Sequence, residues 1–215
     1  MANRPVYRVK DSQPYYEEIL VDFEYYSGFS LKQKQKTIAS LHKEYLLCNR
    51  EAKILEISTK SENLIGISLS AFQLMISTKR RKYSVECAFQ GSKVFQNGGP
   101  YIDLFNKSSV EAKKDVRLRT SGKLIEFEFY NRAFPLQPVD YFYNWLYINA
   151  LQLNRKLSKD IMLYDSFTDI EFNPKRSINC QAKAAAMFVG LKKAGKLEAA
   201  LEAPREFLRI VYGIK

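Results

Sequence analysis

The chain has 215 residues, 46% of them hydrophobic and 13% aromatic, enough apolar mass for one packed domain and too much for a disordered polypeptide. Its formal net charge is +11 and its isoelectric point is near 9.4; an excess of this size favours an anionic partner over solubility alone. The three cysteines, Cys48, Cys87 and Cys180, form no CxxC pair, so neither a disulfide framework nor a cysteine zinc site is indicated. The opening MANRPVYRVK has no apolar signal-peptide core, and no run approaches the roughly 20 apolar residues of a membrane helix. A cytoplasmic protein without membrane attachment is expected.

In chain order, Tyr15 to Tyr26 (YYEEILVDFEYY) reads as β-rich, and Ser30 to Leu47 has helical spacing at Leu31, Ile38, Leu41 and Tyr45. Ile54 to Ser58 and Ile65 to Ile76 alternate like half-buried strands. Ser84 to Asn97 is predicted to be one helix, stopped by Asn97-Gly98-Gly99-Pro100. Ser108-Ser109-Val110-Glu111 has capping-box spacing and opens a short basic helix. Leu124 to Tyr130 alternates as a strand, and Pro138 starts the aromatic helix YFYNWLYINALQL. Asp169 to Phe172 reads as a short extended piece and Asn173 to Ser177 as a loop. Asn179 or Ser177 then caps the helix QAKAAAMFVGLKK, which Gly195 ends. The expected fold class is α+β, helix-rich in its C-terminal two-thirds, with an N-terminal β-containing extension.

On a helix over Ser84 to Asn97, the residues Glu86, Gln90, Lys93 and Asn97 fall on one narrow stripe by i, i+4, i+7, i+11 spacing. Val85, Cys87, Ala88, Phe89, Val94 and Phe95 cover most of the remaining circumference. A helix apolar nearly all round with one line of acid, amide and amine fits a lined cleft, since such groups are costly to bury unsatisfied. The competing reading is a solvated stripe with a routine Glu86–Gln90 contact.

The segment YSVECAFQGSKVF resembles the signature helix of the NADAR family (NAD- and ADP-ribose-related proteins), with Tyr83, Glu86, Gln90, Lys93 and Phe95 at the positions of its aromatic, acid, amide, amine and phenylalanine. Upstream, LSAFQLMI, with Ser70 and Phe72, is similar to the segment that leads into the family's pocket. Downstream come EAKKDVRLR, the helix around Trp145, and DIEFNPKRSINCQAKAAAMFV, which resembles the family's closing acid, loop, asparagine and helix. Over its whole length the chain is still more similar to a subgroup that serves as antitoxin to DarT-type DNA ADP-ribosyltransferases, through MANRP, KQKQKTIASLH and TKSENLIG.

The resemblance implies an N-glycosidase that removes ADP-ribose from ADP-ribosylated guanine in DNA. It also implies ADP-ribose as product and a cognate DNA ADP-ribosyltransferase toxin as a further partner. It makes Glu86, Lys93 and Asp169 the catalytic candidates, with Gln90, Ser70, Phe72, Trp145, Lys175, Arg176 and Asn179 binding substrate. The closing loop, FNPKRS, lacks the family's usual glycines and Trp-Gly pair, which leaves Glu171 and Asp165 as alternatives to Asp169. The core resemblance spans about Ser68 to Leu191. The chain is accordingly partitioned into an extension (1–67), a NADAR-like core (68–191) and a helical tail (192–215).

Two other functions compete. A small-molecule N-glycosidase acting on a phosphorylated ribosylamine, as in a riboflavin-linked branch of the family, retains the stripe but has no need of a basic exterior. A non-catalytic immunity protein binds toxin or DNA and tolerates replacement of Glu86 and Lys93. The basic groups are dispersed over Lys32, Lys34 and Lys36; Lys79 to Lys82; Lys113, Lys114, Arg117 and Arg119; Lys175 and Arg176; and Lys192, Lys193 and Lys196, as on a folded surface that meets phosphates at several points. The loop Asn173 to Ser177 ahead of a helix suits a pyrophosphate, or is a capped loop with solvated basic tips. Trp145 either packs in the core or stacks on a base. His42, the only histidine, makes neither a metal site nor a thiol–imidazole pair with Cys87, so no metal or other cofactor is expected.

Overall fold

A computed structural model describes residues 1–175 and 177–214. The chain forms two compact units, Met1–Ser70 together with Arg155–Lys215, and Ala71–Asn154. It is α+β, and no helix among the described residues is long and apolar enough to cross a membrane.

The first unit opens with β1 (Ala2–Val9) and β2 (Tyr16–Phe23), paired antiparallel with Tyr7 opposite Glu18. Next comes α1 (Leu31–Cys48), whose N-cap Ser30 accepts from the Gln33 N–H and whose Thr37, Ile38, Leu41 and Tyr45 are buried along one face. The strand β3 (Ile54–Glu56) and the short helix α2 (Leu64–Leu69) complete this pass. The strand expected from Ile65 onward is therefore a helix for its first half. Its start is fixed by Asn63, whose Oδ1 accepts from the Ile65 N–H at 2.8 Å. Gly66 brings that helix so close to β3 that a Cβ there would lie 2.0 Å from the Glu56 carbonyl oxygen.

The second unit begins with the hairpin β4 (Met75–Ser77) and β5 (Lys82–Ser84), followed by α3 (Val85–Gly91) and β6 (Lys93–Phe95). The single helix expected over Ser84 to Asn97 thus ends at Gly91. Ser92 caps it, with its N–H donating to the Ala88 and Gln90 carbonyls. Lys93 and Phe95 are instead paired with Phe127 and Leu124 of β7 (Leu124–Phe129), so backbone pairing with a distant strand outweighs local helical spacing. A 3-10 turn (Ile102–Asn106), α4 (Ser109–Lys114) and α5 (Arg117–Thr120) lie between them. The capping box expected at Ser108 is present in both directions: Ser108 accepts from the Glu111 N–H, and the Glu111 carboxylate from the Ser108 N–H. A tight turn leads from β7 to β8 (Arg132–Phe134). The aromatic helix α6 (Tyr141–Leu153) begins three residues after Pro138, whose carbonyl accepts from the Tyr141 N–H at 3.0 Å; Pro138 belongs to the preceding turn.

The chain returns to the first unit through α7 (Arg155–Asp160) and β9 (Ser166–Thr168). The extended piece is therefore Ser166–Thr168 and not Asp169 to Phe172, which form a turn closed by Phe172 N–H to Asp169 O at 3.2 Å. Strand β9 pairs antiparallel with β1 and parallel with β3, giving the order β2-β1-β9-β3. Helix α8 (Gln181–Lys193) has Cys180 at its N-cap without a side-chain hydrogen bond, so neither Asn179 nor Ser177 caps it. Gly195 lies just past its end in the left-handed region, φ +64°. The helices α9 (Leu197–Glu202) and α10 (Pro204–Phe207) and a π turn follow. Val6 packs with Ile38, Leu41 and Tyr45 of α1. Tyr7, one residue on and so directed to the opposite face, meets Cys180 at the start of α8. The sheet is covered on both faces.

Candidate active site

Helix α3 is buried along its whole length, and Glu86 and Gln90 expose only 6% and 7% of their surface. Hydrogen bonds on the amino-terminal side hold it in place. The Val85 and Glu86 N–H groups donate to the Leu74 and Ala71 carbonyls, both at 2.9 Å. Ser84 caps the helix by accepting from the Cys87 N–H at 3.1 Å. Ser109 gives its hydroxyl proton to the Phe72 carbonyl at 2.9 Å, so Ser84 is the donor in their 2.7 Å contact. Gly91 packs against Phe105 with no room for a Cβ, which would lie 2.5 Å from the ring.

Gln90 Nε2 donates to Glu86 Oε1 at 2.9 Å. Gln90 Oε1 is buried and has no partner among the described residues, an acceptor whose desolvation is unrewarded until a donor arrives. Lys93 lies on β6 directly opposite Phe127, and directly opposed residues share a face of the ladder. Its Nζ is 5.0 Å from the centre of the Phe89 ring, and Phe89 packs on Phe127 with ring centres 5.3 Å apart. Desolvation against these rings lowers the Lys93 pKa, opposed by the charge of Glu86 and assisted by Lys113. The Lys93 amine makes no hydrogen bond or ion pair with any described residue. An acid, an orphan amide oxygen and a desolvated amine are therefore grouped at α3 and the start of β6, although Lys93 is not on the helix that was expected to carry it. Asn97 lies beyond β6, exposed, and drops out of the stripe.

The other expected residues of this unit fall nearby in the fold. Phe72 is half-buried, with Lys113 Nζ 5.1 Å from its ring centre. Trp145, on α6, packs against Phe134 at 4.8 Å and Phe129 at 6.3 Å between ring centres. Its indole Nε1 is buried without a partner. Cys87 donates through its thiol to the Lys107 carbonyl at 3.2 Å, the arrangement of a packed thiol.

In the first unit, Ser70 is buried and donates to the Ile67 carbonyl at 2.8 Å. Of the three acids considered, Asp165 is committed to the sheet, accepting from the Lys53 N–H at 3.1 Å and the Ser166 hydroxyl at 2.9 Å. Glu171 is exposed and paired with Lys34 at 3.0 Å. Asp169 is half-buried and accepts only from the N–H groups of its own turn, Glu171 at 3.1 Å and Phe172 at 3.2 Å. Burial and the neighbouring Glu56 push its pKa well above the usual carboxylate range. Lys175 is exposed, its N–H donating to Asn173 Oδ1 at 3.0 Å. Asn179 keeps a buried Oδ1 without a partner among the described residues. Arg176 lies outside the described residues.

Beside Asp169 stands a group that the sequence did not single out. The Thr168 hydroxyl donates to Glu56 Oε2 at 2.6 Å, and the Ile170 N–H to Glu56 Oε1 at 2.9 Å. With its proton so directed, Thr168 accepts from His42 Nε2 at 2.8 Å, which sets the Nε2–H tautomer. Burial raises the Glu56 pKa and lowers that of His42 to about 4. His42 and Glu56 also line a cavity of about 290 Å³ with Ile38, Ser61 and Asn63. Glu56 sits in an ordinary-looking strand, ILEIS, and only its pairing with β9 reveals it. Among the described residues, no three His, Cys, Asp or Glu side chains gather as a metal site would require.

The sequence over residues 2–215 matches the family model described as the DarT1-associated NADAR antitoxin. No curated protein matches the chain.

Proposed function

The chain belongs to the DarT1-associated NADAR antitoxin family, and from that premise we propose that it removes ADP-ribose from ADP-ribosylated guanine in DNA. It would thereby reverse the modification made by a cognate DarT-type toxin and act as an antitoxin through catalysis. The observation that carries this reading is the grouping of buried Glu86, the partnerless Gln90 Oε1 and the unpaired, desolvated Lys93.

The chemistry follows from those three groups. The bond to be broken joins ribose C1 to a guanine nitrogen. Gln90 Oε1 accepts from a ribose hydroxyl or a base N–H and fixes the sugar. Glu86, taking up the proton that Lys93 gives up to become a neutral amine, passes it to the departing guanine nitrogen. Lys93 as a neutral amine attacks C1; the C1–guanine bond breaks, the attacking nitrogen gives a proton to the Glu86 carboxylate, and that proton passes to the ring oxygen as the ring opens to an imine. Water then adds to the imine, returning the free amine and ADP-ribose. The second route keeps Lys93 charged beside Glu86, which activates a water for direct attack. The lowered Lys93 pKa and its lack of an ion-pair partner favour the amine. Asp169 is assigned a proton-transfer role, and Ser70, Phe72, Trp145, Lys175, Arg176 and Asn179 contacts to substrate, on their positions in the family motifs.

The deciding experiment incubates the protein with DNA carrying ADP-ribosyl-guanine and measures released ADP-ribose and restored guanine. Release is expected without added cofactor. If the protein binds this DNA and releases nothing, it is an immunity protein that acts by binding. If it cleaves only a phosphorylated ribosylamine, the small-molecule reading holds.

A further inference from the structure

Some arginines on this surface have acidic partners. Arg8 is paired with Glu17, Arg117 with Asp103 and Asp115, and Arg209 with Glu206. In the hairpin joining β4 to β5 four cations are consecutive: Lys79, Arg80, Arg81 and Lys82 are all exposed, and none makes an ion pair among the described residues. The turn itself is well tied. The Thr78 N–H donates to the Arg81 carbonyl at 2.8 Å, and Thr78 Oγ1 accepts from the Arg80 and Arg81 N–H groups at 3.3 and 3.0 Å. Four cations are thus held together on a short, internally bonded turn with their charge uncommitted.

Lys79, Arg80 and Arg81 form one side of a cleft of about 460 Å³, within the range of pockets that take an organic ligand. Its other walls are apolar and aromatic, from Pro100, Ile102, Phe105 and Tyr130, with Glu128 contributing one carboxylate. Ile102 and Tyr130 stand 56% and 59% exposed. Tyr130 and Asn131 form the turn between β7 and β8 with φ +50° and +58°, the signature of a two-residue type I′ hairpin. A tyrosine with positive φ is uncommon and strained. Here it projects the ring at the cleft, and the hydroxyl is anchored 2.8 Å from that of buried Tyr83. Tyr83 and Phe105 stack with ring centres 4.7 Å apart. They also line a second, polar cleft of about 530 Å³, to which Lys82 and Lys107 add charge.

Two clefts thus flank one aromatic partition, with unpaired cations along the hairpin beside both. We propose that this surface of the Ala71–Asn154 unit is a binding site for single-stranded polynucleotide, in which an unpaired base stacks on Tyr130 in the apolar cleft and its flanking phosphates meet Arg80 and Arg81. The geometry suits a strand because flat aromatic surface for bases alternates with cations for backbone. A polynucleotide carries an anion at every repeat of its backbone, whereas a polypeptide matches the row of cations only where its sequence is acidic. The assignment rests on the reading that DNA is the substrate, and adds a strand-holding surface whose clefts are lined by neither Glu86 nor Lys93.

The test reads binding alone, so it stands apart from whether ADP-ribose is released. A fluorescent, unmodified single-stranded oligonucleotide is titrated with the full chain at several salt concentrations, and anisotropy is measured. Arg80→Glu with Arg81→Glu should weaken affinity by about tenfold or more and flatten the salt dependence by about 1.4 in the log–log slope, as expected for two lost phosphate contacts. Tyr130→Ala should weaken it by about tenfold with the slope unchanged, as expected for a lost stack. Lys156→Glu with Lys159→Glu makes the same change of charge on exposed residues of the other unit, and should alter affinity by less than about threefold if only screened, long-range charge is involved. Thermal melting of each variant shows that it is folded; Arg80→Gln with Arg81→Gln replaces the charge reversal if that pair unfolds. Equal weakening by the two charge-reversed pairs overturns the site in favour of net charge. Undiminished affinity in both the arginine pair and Tyr130→Ala overturns it outright and leaves the cleft to a protein partner.

Discussion

Gln90 Nε2 lies 2.9 Å from Glu86 Oε1 on adjacent turns of α3, and the contact leaves the Gln90 oxygen buried with nothing to accept. The amide is therefore oriented by the acid beneath it, with its acceptor end presented for a donor that none of the described residues supplies. On the proposed mechanism, replacing Glu86 alters two things together: proton transfer and the direction in which Gln90 faces.

Glu86→Gln should keep the fold, because an amide of the same shape fits the same space, and should lower ADP-ribose release by roughly two to four orders of magnitude. Melting temperature and initial rate are measured on the same preparation. A folded variant with near-normal turnover removes Glu86 from the reaction.

Lys93→Arg separates nucleophile from charge. Arginine keeps the positive charge and cannot attack as a neutral amine. With the wild type, borohydride during turnover should trap an adduct carrying ADP-ribose on the Ser84 to Phe95 peptide, found by mass spectrometry. In Lys93→Arg both adduct and turnover should be lost. Retained turnover with no adduct would falsify the imine route and leave Lys93 as a positioning charge.

Opposed pH effects are expected from the His42–Asp169 region. Asp169 has its pKa raised by burial and Glu56, so the folded chain keeps a proton that the unfolded chain has released. Its contribution to stability accordingly declines as pH rises above about 4 toward the folded pKa. His42 behaves in the reverse sense, with its pKa lowered from 6.5 to about 4. The unfolded chain takes up that proton first, and stability is lost as pH falls from about 6.5 to about 4, by on the order of 2–3 kcal/mol. Urea midpoints over this range should show less acid-side loss in His42→Gln and less decline with rising pH in Asp169→Asn. Parallel profiles for both variants and the wild type would show that neither group is shifted.

Release of ADP-ribose should survive exhaustive chelation, because the proposed steps use only side chains of the chain itself: Glu86, Gln90 and Lys93, with Asp169 in proton transfer. Loss of activity in chelator, restored by one divalent ion, would reveal a carboxylate-held cation and transfer the water-activating role to it.

Gly66→Ala should destabilise the chain by about 1–3 kcal/mol, since the added Cβ falls 2.0 Å from the Glu56 carbonyl and 2.5 Å from Ser61 Oγ. Denaturant unfolding measures it. A neutral outcome would mean that α2 can withdraw from β3 without cost.

What the sequence made legible was mainly local. The helical spacing from Leu31 to Tyr45, the Ser108–Glu111 box, the alternation of β7 and the stop at Gly195 depend on neighbours within a few residues, and each is found as expected. The misreadings share a cause. Lys93 to Phe95 continued a helical spacing, yet they pair with a strand some thirty residues on. Ile65 to Leu69 alternated, yet Asn63 caps them into a helix. At the candidate site, Glu86 and Gln90 could be read from i, i+4 spacing, while the surroundings of Lys93 came from Phe127 across the ladder. Glu56 and Thr168 are 112 positions apart and carried no shared signal, because only the parallel pairing of β3 with β9 joins them.

Placing Lys93 on β6 ties its chemistry to strand register instead of helix pitch. Lys93 opposes Phe127 and Val94 opposes Glu126, so sliding β6 by one position would turn the amine to the other face and present a valine to Phe89. The register is set by ladder pairing, and a bulge between Val94 and Phe95 absorbs the irregularity where the strands part. Length changes in the segment between β6 and β7 can then be taken up beyond the bulge without moving the amine. An insertion between Gly91 and Lys93 has no such slack. The linker at Ser92 is accordingly the position at which a single added residue should silence the protein while leaving both of its flanking elements intact.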